Sequence, residues 1–365
     1  MGAPVTGSTR STTRRAPRSL EADDLRHLRH LRPGRALGSI AVAWGSIALP
    51  AAAAIAWGQW PGFVLAIAWI GFRQIALFNV MHDGVHDLLH PTRRWNDLMG
   101  DLFAAWALAT TTARYRAAHL PHHRFLSSAR DPDLVVILQR QLPGRLWPGS
   151  RREAFGVLLR DLGGVNFWRN LFVARRRSLY TLVASQDLPG PDPATATAGG
   201  PTSGQLAALL AAAAAGLALL AATGWLGTAL TWFGLALLLW VVPLMTTFQV
   251  AMRLHQWGDH LGLEPVSGIE GTRNVHVGPV ERVLISPNHS NYHLAHHLYP
   301  QVPNYNLCAL HERLSDDESY AAQAPRADGY VLGRRSVVAL LVTAPEDVHQ
   351  RTLAAGRVAV AAPSA

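Results

Sequence analysis

Ala36 to Phe72 contains no Asp, Glu, Lys, Arg or His, and neither does Gly204 to Met252. Each run is too long for a single membrane crossing, which takes about 20 residues, and suits two. Trp57-Gly58-Gln59-Trp60-Pro61-Gly62 interrupts the first run and Thr223-Gly224-Trp225-Leu226-Gly227 the second. Turn formers flanked by tryptophan are what the interfacial end of a helical hairpin requires. The pattern predicts an all-α membrane protein with four transmembrane helices in two hairpins, spans lying near 36–57, 61–81, 205–223 and 227–250. A soluble core helix would account for one such segment, not for both runs together. A hydrophobic share of 49% against 16% charged residues agrees.

Orientation follows from arginine, since the chain has no lysine. Arginines are dense from Arg10 to Arg35, before the first span, and from Arg93 to Arg177, between the hairpins, whereas both hairpin turns are uncharged. The positive-inside rule then places both termini and the central segment in the cytoplasm. The formal net charge of +9 is spread over segments next to the membrane. With no nucleic-acid fold signal, it reads as orientation and contact with anionic membrane lipid, not nucleic-acid binding. The expected organisation is a disordered basic tail over 1–35, a membrane domain over 36–314 with a helical cytoplasmic cap from 82–203 and 253–314, and a C-terminal tail over 315–365. Gln186 to Gly204 is read as a linker. Leu98 to Thr112 is an interfacial or buried helix. Val337 to Val342 fits a strand or a short helix equally. The lone Cys308 excludes an internal disulfide and is read as a small buried hydrophobe.

Eight of the 17 histidines fall in three tight groups, each just beyond an apolar segment. They are His82 and His86, then His119, His122 and His123, then His293, His296 and His297, spaced H-x3-H, H-x2-H-H and H-x2-H-H. Four spans put all three on one side of the membrane, the minimum condition for a shared site. Neutral imidazole is the commonest nitrogen ligand of transition metals. Residues i, i+3 and i+4 share a helix face, so His293, His296 and His297 are expected to point at one centre, with Pro300 ending their helix. His82 and His86 continue the second span. Pro121 disfavours helix at Leu120, which puts His119 just before a helix beginning at Pro121. Eight imidazoles exceed the need of one tetrahedral zinc and suit two metals that keep open positions. His260 follows the fourth span by about two turns and is a candidate ninth ligand, with His255 the weaker candidate. His90, His276, His289 and His311 are read as surface residues or partners of the ligands, and His27, His30 and His349 as solvated.

The boxes, their order and their surroundings resemble the membrane fatty acid desaturase family. His86-Asp87-Leu88-Leu89 with Asn96-Asp97-Leu98-Met99-Gly100 is similar to the stretch after that family's first box. His122-His123-Arg124-Phe125 with Asp131-Pro132-Asp133 resembles its second, and Tyr292 to Pro300 with Val302-Pro303 and Leu310-His311 its third. Arg253 to His260 is similar to an Arg…Glu-His element of many members, with Asp259 where Glu is usual.

The resemblance implies a centre of two iron ions held by His82, His86, His119, His122, His123, His293, His296, His297 and His260. It implies O2 as co-substrate and attack on an unactivated C–H bond, the work of a fatty acid desaturase forming a C=C bond on an acyl chain. The alternative is a hydroxylase of the same family acting on a lipid, carotenoid or specialised metabolite. It further implies a lipid-like substrate, a bacterial inner-membrane location and, with no fused haem segment, a separate electron donor: a ferredoxin, a rubredoxin or a flavoprotein. Asp83, Asp87, Asp131 and Asp259 are candidates to hold the free imidazole N–H groups. A haem protein would place facing histidine pairs within the bilayer, and a zinc hydrolase would carry H-E-x-x-H, which is absent. A purely structural membrane protein gives no reason for the boxes.

Overall fold

The computed structural model describes residues 20–128, 130–134, 145–173, 222–266 and 268–361. Helix α1 spans Ala22–Arg29, α2 Pro33–Trp57 and α3 Trp60–Val85. Residues 22–29 were expected in a disordered tail. They form a helix instead, because Leu28 finds an apolar partner surface far along the chain.

The first hairpin is built as its sequence dictates. Pro33 sits in the first turn of α2, where its missing N–H costs nothing. Gly58 ends that helix in the left-handed region (φ 67°), its N–H donating to the Ala54 carbonyl at 2.9 Å, and Pro61 opens α3. The 25 residues of α2 rise about 38 Å, enough to cross the roughly 30 Å apolar layer of a bilayer. Ala36, Ile40, Ala43 and Ile47 of α2 are buried in one core with Ala66 and Ile70 of α3. Leu37, Val42, Leu49, Val64 and Leu65 are exposed, as lipid-facing side chains are.

α4 (Arg93–Gly100) continues through a π turn at Asp101–Ala105 and a 3-10 turn at Trp106–Leu108. It leads to α5 (Thr112–Phe125), whose N-cap Thr111 accepts from the Arg114 N–H. α5 runs straight through Pro121, against the expectation that a helix begins there. The Thr111 cap starts the helix about two and a half turns earlier, and proline removes only one of its hydrogen bonds. α6 (Arg151–Leu162) and α7 (Val165–Val173) follow.

α8 is a bent apolar helix over Leu226–Asp259, interrupted by a π turn at Leu237–Val241 and a break at Thr246. Its close approach to α3 depends on Gly71, where an added Cβ would lie 1.9 Å from Thr247 Oγ1. Among the described residues, three helices are therefore long and apolar enough to cross a membrane: α2, α3 and α8. The expected span near 205–223 and the linker over 186–204 lie outside the described residues, Thr223 and the residue before it apart.

Beyond α8 come β1 (Asn274–Val275), α9 (Pro279–Leu284), α10 (His293–Leu298), α11 (Leu307–Ser315), α12 (Glu318–Gln323), β2 (Arg326–Ala327), α13 (Val337–Val342) and α14 (Glu346–Ala361). β1 and β2 form one short parallel pair, a small departure from an all-helical chain. Val337–Val342 is a helix, capped by Ser336 accepting from the Ala339 N–H. The segment read as a C-terminal tail contributes to a core. Tyr330, Val337 and Leu341 are buried in a core with Trp257, Leu254 and Trp147, which anchors this segment to the end of α8.

Candidate metal centre

The histidines gather where α3, α5, α8 and α10 converge. His82 lies on the last turn of α3 and His86 caps that helix. His119, His122 and His123 lie on α5, His260 caps α8, and His293, His296 and His297 lie on α10. Each offers one ring nitrogen to one of two groups, in which those atoms lie within 4.8 Å of one another. The first group is His82, His86, His119, His123 and His296; the second is His122, His260, His293 and His297. All nine sequence candidates are thus brought together, His260 included.

The H-x2-H-H boxes divide in a way their shared helix face did not suggest. His119 and His123, one turn apart, go to the first group and His122 to the second. On α10 the i, i+4 pair His293 and His297 goes to the second group and His296 to the first. A 100° step per residue puts the i+3 side chain on one flank of the face and the i+4 side chain on the other. Each of these two boxes therefore contributes to both groups.

Nitrogen spacing tests what the groups can hold. His123 Nε2 stands 3.0 Å from His119 Nε2 and 3.1 Å from His296 Nε2. His293 Nε2 stands 2.9 Å from His260 Nε2 and 3.1 Å from His297 Nε2. A ring nitrogen has one in-plane direction, for either a proton or a lone pair, so one Nε2 cannot bond to both neighbours. Two nitrogens each about 2.1 Å from a shared ion, at right angles, stand roughly 3 Å apart. His86 Nε2 is buried with no hydrogen-bond partner. Converging lone pairs and an orphaned buried nitrogen fit a cation in each group.

The surroundings fix the rings. His122 donates from Nδ1 to Asp131 Oδ1 at 2.9 Å, which leaves Nε2 for the group. Asp131 also accepts from the Ser127 and Asp133 backbone N–H groups at 2.8 and 2.9 Å. Burial opposes a charge on His122, but Asp131 and Asp133 outweigh it and push its pKa up to about 9. Burial likewise opposes the Asp131 charge, yet His122 and the Ser127 N–H hold it below the usual carboxylate range. His260 donates from Nδ1 to the Gly271 carbonyl at 3.1 Å. Burial first, and the charge on neighbouring histidines second, drive His119, His293, His296 and His297 well below the ordinary value, and His260 to about 3. The neutral imidazole so favoured is the ligand form.

Of the four aspartates proposed to hold imidazole N–H groups, Asp131 does so. Asp83 accepts instead from the Asn304 N–H at 3.4 Å, and Asp87 pairs with Arg116 and Arg93. Asp259 lies 3.9 Å from His293 Nε2, facing the group side of that ring. His255 stays outside both groups and donates to the Ile285 carbonyl. A cavity of about 120 Å³ opens beside the histidines, walled by Phe78, Asn79, Tyr115, Met252, Gln256 and Leu307 among others.

Arg116 was not singled out by the motifs. It is buried on α5, one turn before His119. Its guanidinium donates to the Gly84 and Val85 carbonyls at 2.7 and 2.8 Å and pairs with Asp97 at 2.6 Å and Asp87 at 3.0 Å. Its i−3 spacing from His119 was the available signal. His349, expected to be solvated, is 1% exposed: its Nε2 accepts from the Leu146 N–H at 2.9 Å and its ring meets Trp147 edge-on. His27 and His30 are exposed as expected. Cys308 is partly exposed, its sulfur 3.6 Å from Tyr292 Oη, and not the buried hydrophobe expected.

Comparison with known proteins agrees with this geometry. The profile of the family described as fatty acid desaturase matches residues 28–328. The chain is also similar to dihydrorhizobitoxine desaturase of Bradyrhizobium elkanii, with 26% identity over 347 residues covering 90% of this chain and 91% of that protein.

Proposed function

The chain belongs to the fatty acid desaturase family and is a membrane oxidoreductase of the desaturase or hydroxylase type; on that premise we propose that it forms a C=C bond in its substrate, using O2 at a centre of two iron ions. The convergence of nine histidines into a five-nitrogen and a four-nitrogen group carries this reading. His82, His86, His119, His123 and His296 would hold one ion, and His122, His260, His293 and His297 the other. The irons would supply what side chains lack, the activation of O2 for removing hydrogen from an unactivated C–H bond.

The chain's own residues do the rest. Asp131 and the Gly271 carbonyl hold the Nδ1 protons of His122 and His260, so each presents Nε2 inward. Arg116 ties the end of α3, with the first box, to the helix bearing the second. The cavity beside the histidines would position a substrate carbon within reach of both groups. The family implies a lipid-like substrate. Desaturation is favoured over hydroxylation because the relative named above is called a desaturase. Taking two hydrogens from the substrate while O2 becomes two waters requires two more electrons and two protons, so a separate ferredoxin, rubredoxin or flavoprotein supplies them. Four spans, with both termini and the histidine side in the cytoplasm of a bacterial inner membrane, complete the proposal; the uncharged Trp57–Trp60 turn would face outward.

The test compares lipids and metabolites by mass spectrometry from a host with and without the gene. A product lighter by two hydrogens is expected. A product heavier by one oxygen would favour hydroxylation, and iron-free active protein would end the di-iron reading.

A further inference from the structure

We infer that the N-terminal helix α1 is a brace for the third histidine box and sets how tightly the metal centre is retained; the retention part rests on the metal reading above. α10 has only six residues, too few to hold a helix by itself. Its position has to come from packing. His293, His296 and His297 occupy its inner face, while Leu294 and Ala295, both 0% exposed, form the opposite one. That back face belongs to a core with Val302, Leu307 and Leu310, and the core is closed by Leu28 of α1, with Leu20 and Leu25 packed against it.

Polar contacts repeat the attachment just after α10. The Leu20 N–H donates to Tyr299 Oη at 3.3 Å, directly after the box helix. Asn306 Nδ2 donates to the Leu28 carbonyl at 2.7 Å, and the Arg32 N–H donates to Tyr305 Oη at 2.8 Å. The Arg35 guanidinium lies over the Tyr305 ring, 5.6 Å from its centre. Residues 20–35 thus grip the segment 294–310 from behind. The family match begins at residue 28, so most of α1 precedes it.

Three proteins separate a brace from an incidental contact: Leu28→Asp, the conservative Leu28→Met, and a chain lacking residues 2–31. Each is loaded with ferrous iron and challenged with a chelator, and amide hydrogen exchange is followed in parallel. Leu28→Asp and the truncation are expected to lose metal at least about 10-fold faster, the size of effect typical for groups that orient ligands. Exchange should quicken over 293–310 while α2 and α3 keep their protection. Leu28→Met should match the parent. Unchanged retention and protection, or a loss of protection spread evenly through the spans, would overturn the inference. If the parent binds no metal, the metal reading fails, and the exchange pattern still decides whether α1 braces the box.

Discussion

The guanidinium of Arg116 lies 2.7 Å from the carbonyl oxygen of Gly84, joining the helix of the second box to the end of the helix that carries the first. Terminal helix carbonyls lack intrahelical partners, and a planar fork can serve two of them and two carboxylates together. Arg116→Gln should cost about 2 kcal/mol of stability through its lost charged hydrogen bonds, and metal affinity with it. Arg116→Lys should recover stability in part but not affinity, since an ammonium cannot hold both carbonyls and both carboxylates. Thermal melts and chelator titrations read the two effects separately; full recovery of affinity by lysine would refute the geometric role.

Asp131→Asn tests the orientation of His122. Asn has one acceptor oxygen where Asp131 uses both, so either the imidazole or the Ser127 N–H loses its partner. Metal affinity should fall about 10- to 100-fold, and the loss should appear in the four-histidine group. Mössbauer spectra of the iron-loaded protein would show one iron environment altered more than the other.

His86→Ala, His123→Ala and His297→Ala should each abolish product formation while leaving a membrane-inserted protein. His260→Ala should do the same and lower bound metal, since its Nε2 belongs to the second group. His255→Ala is the control for metal content, because that ring bonds to the Ile285 carbonyl outside both groups. Equal metal content in the two variants would remove His260 from the site.

Much of this was legible in the sequence, for identifiable reasons. Uncharged runs and tryptophan-flanked turns define spans through the cost of burying charge, which is local in the chain. Box histidines are found by spacing, which helix geometry enforces. What escaped depends on contacts between distant residues. Leu28 gives no local sign that it will share a core with Leu294, and His349 none that it will accept from Leu146. The split of the second and third boxes between two groups depends on where α3 and α8 stand around α5 and α10, which no single helix encodes.

His349 also yields a pH prediction. Burial lowers its pKa, against the opposing pull of Glu346. A depressed histidine favours the neutral form in the fold, so its contribution is complete above about 6.5 and is lost as pH falls below that value. His349→Ala should destabilise the protein by about 1–3 kcal/mol at neutral pH, because the buried Leu146 N–H loses its acceptor. His27→Ala should be neutral. His349→Gln, which accepts without titrating, should lose less stability between pH 7.5 and 5.5 than the parent. Parallel melting curves for parent and variant would contradict the linkage.

Because α5 and α10 each send side chains to both groups, the two groups are mechanically one. Holding His296 of α10 in the first group also fixes where His293 and His297 stand in the second, and α5 behaves the same way with His119 and His123 against His122. Neither group can tighten around an ion without adjusting the seat of the other. Loading should therefore be cooperative: the first ion fixes the roll of both helices, and the second finds its nitrogens already in place. A titration of apo-protein should pass from empty to doubly loaded with little of the singly loaded form, a balance written into the alternation of i+3 and i+4 along two short helices.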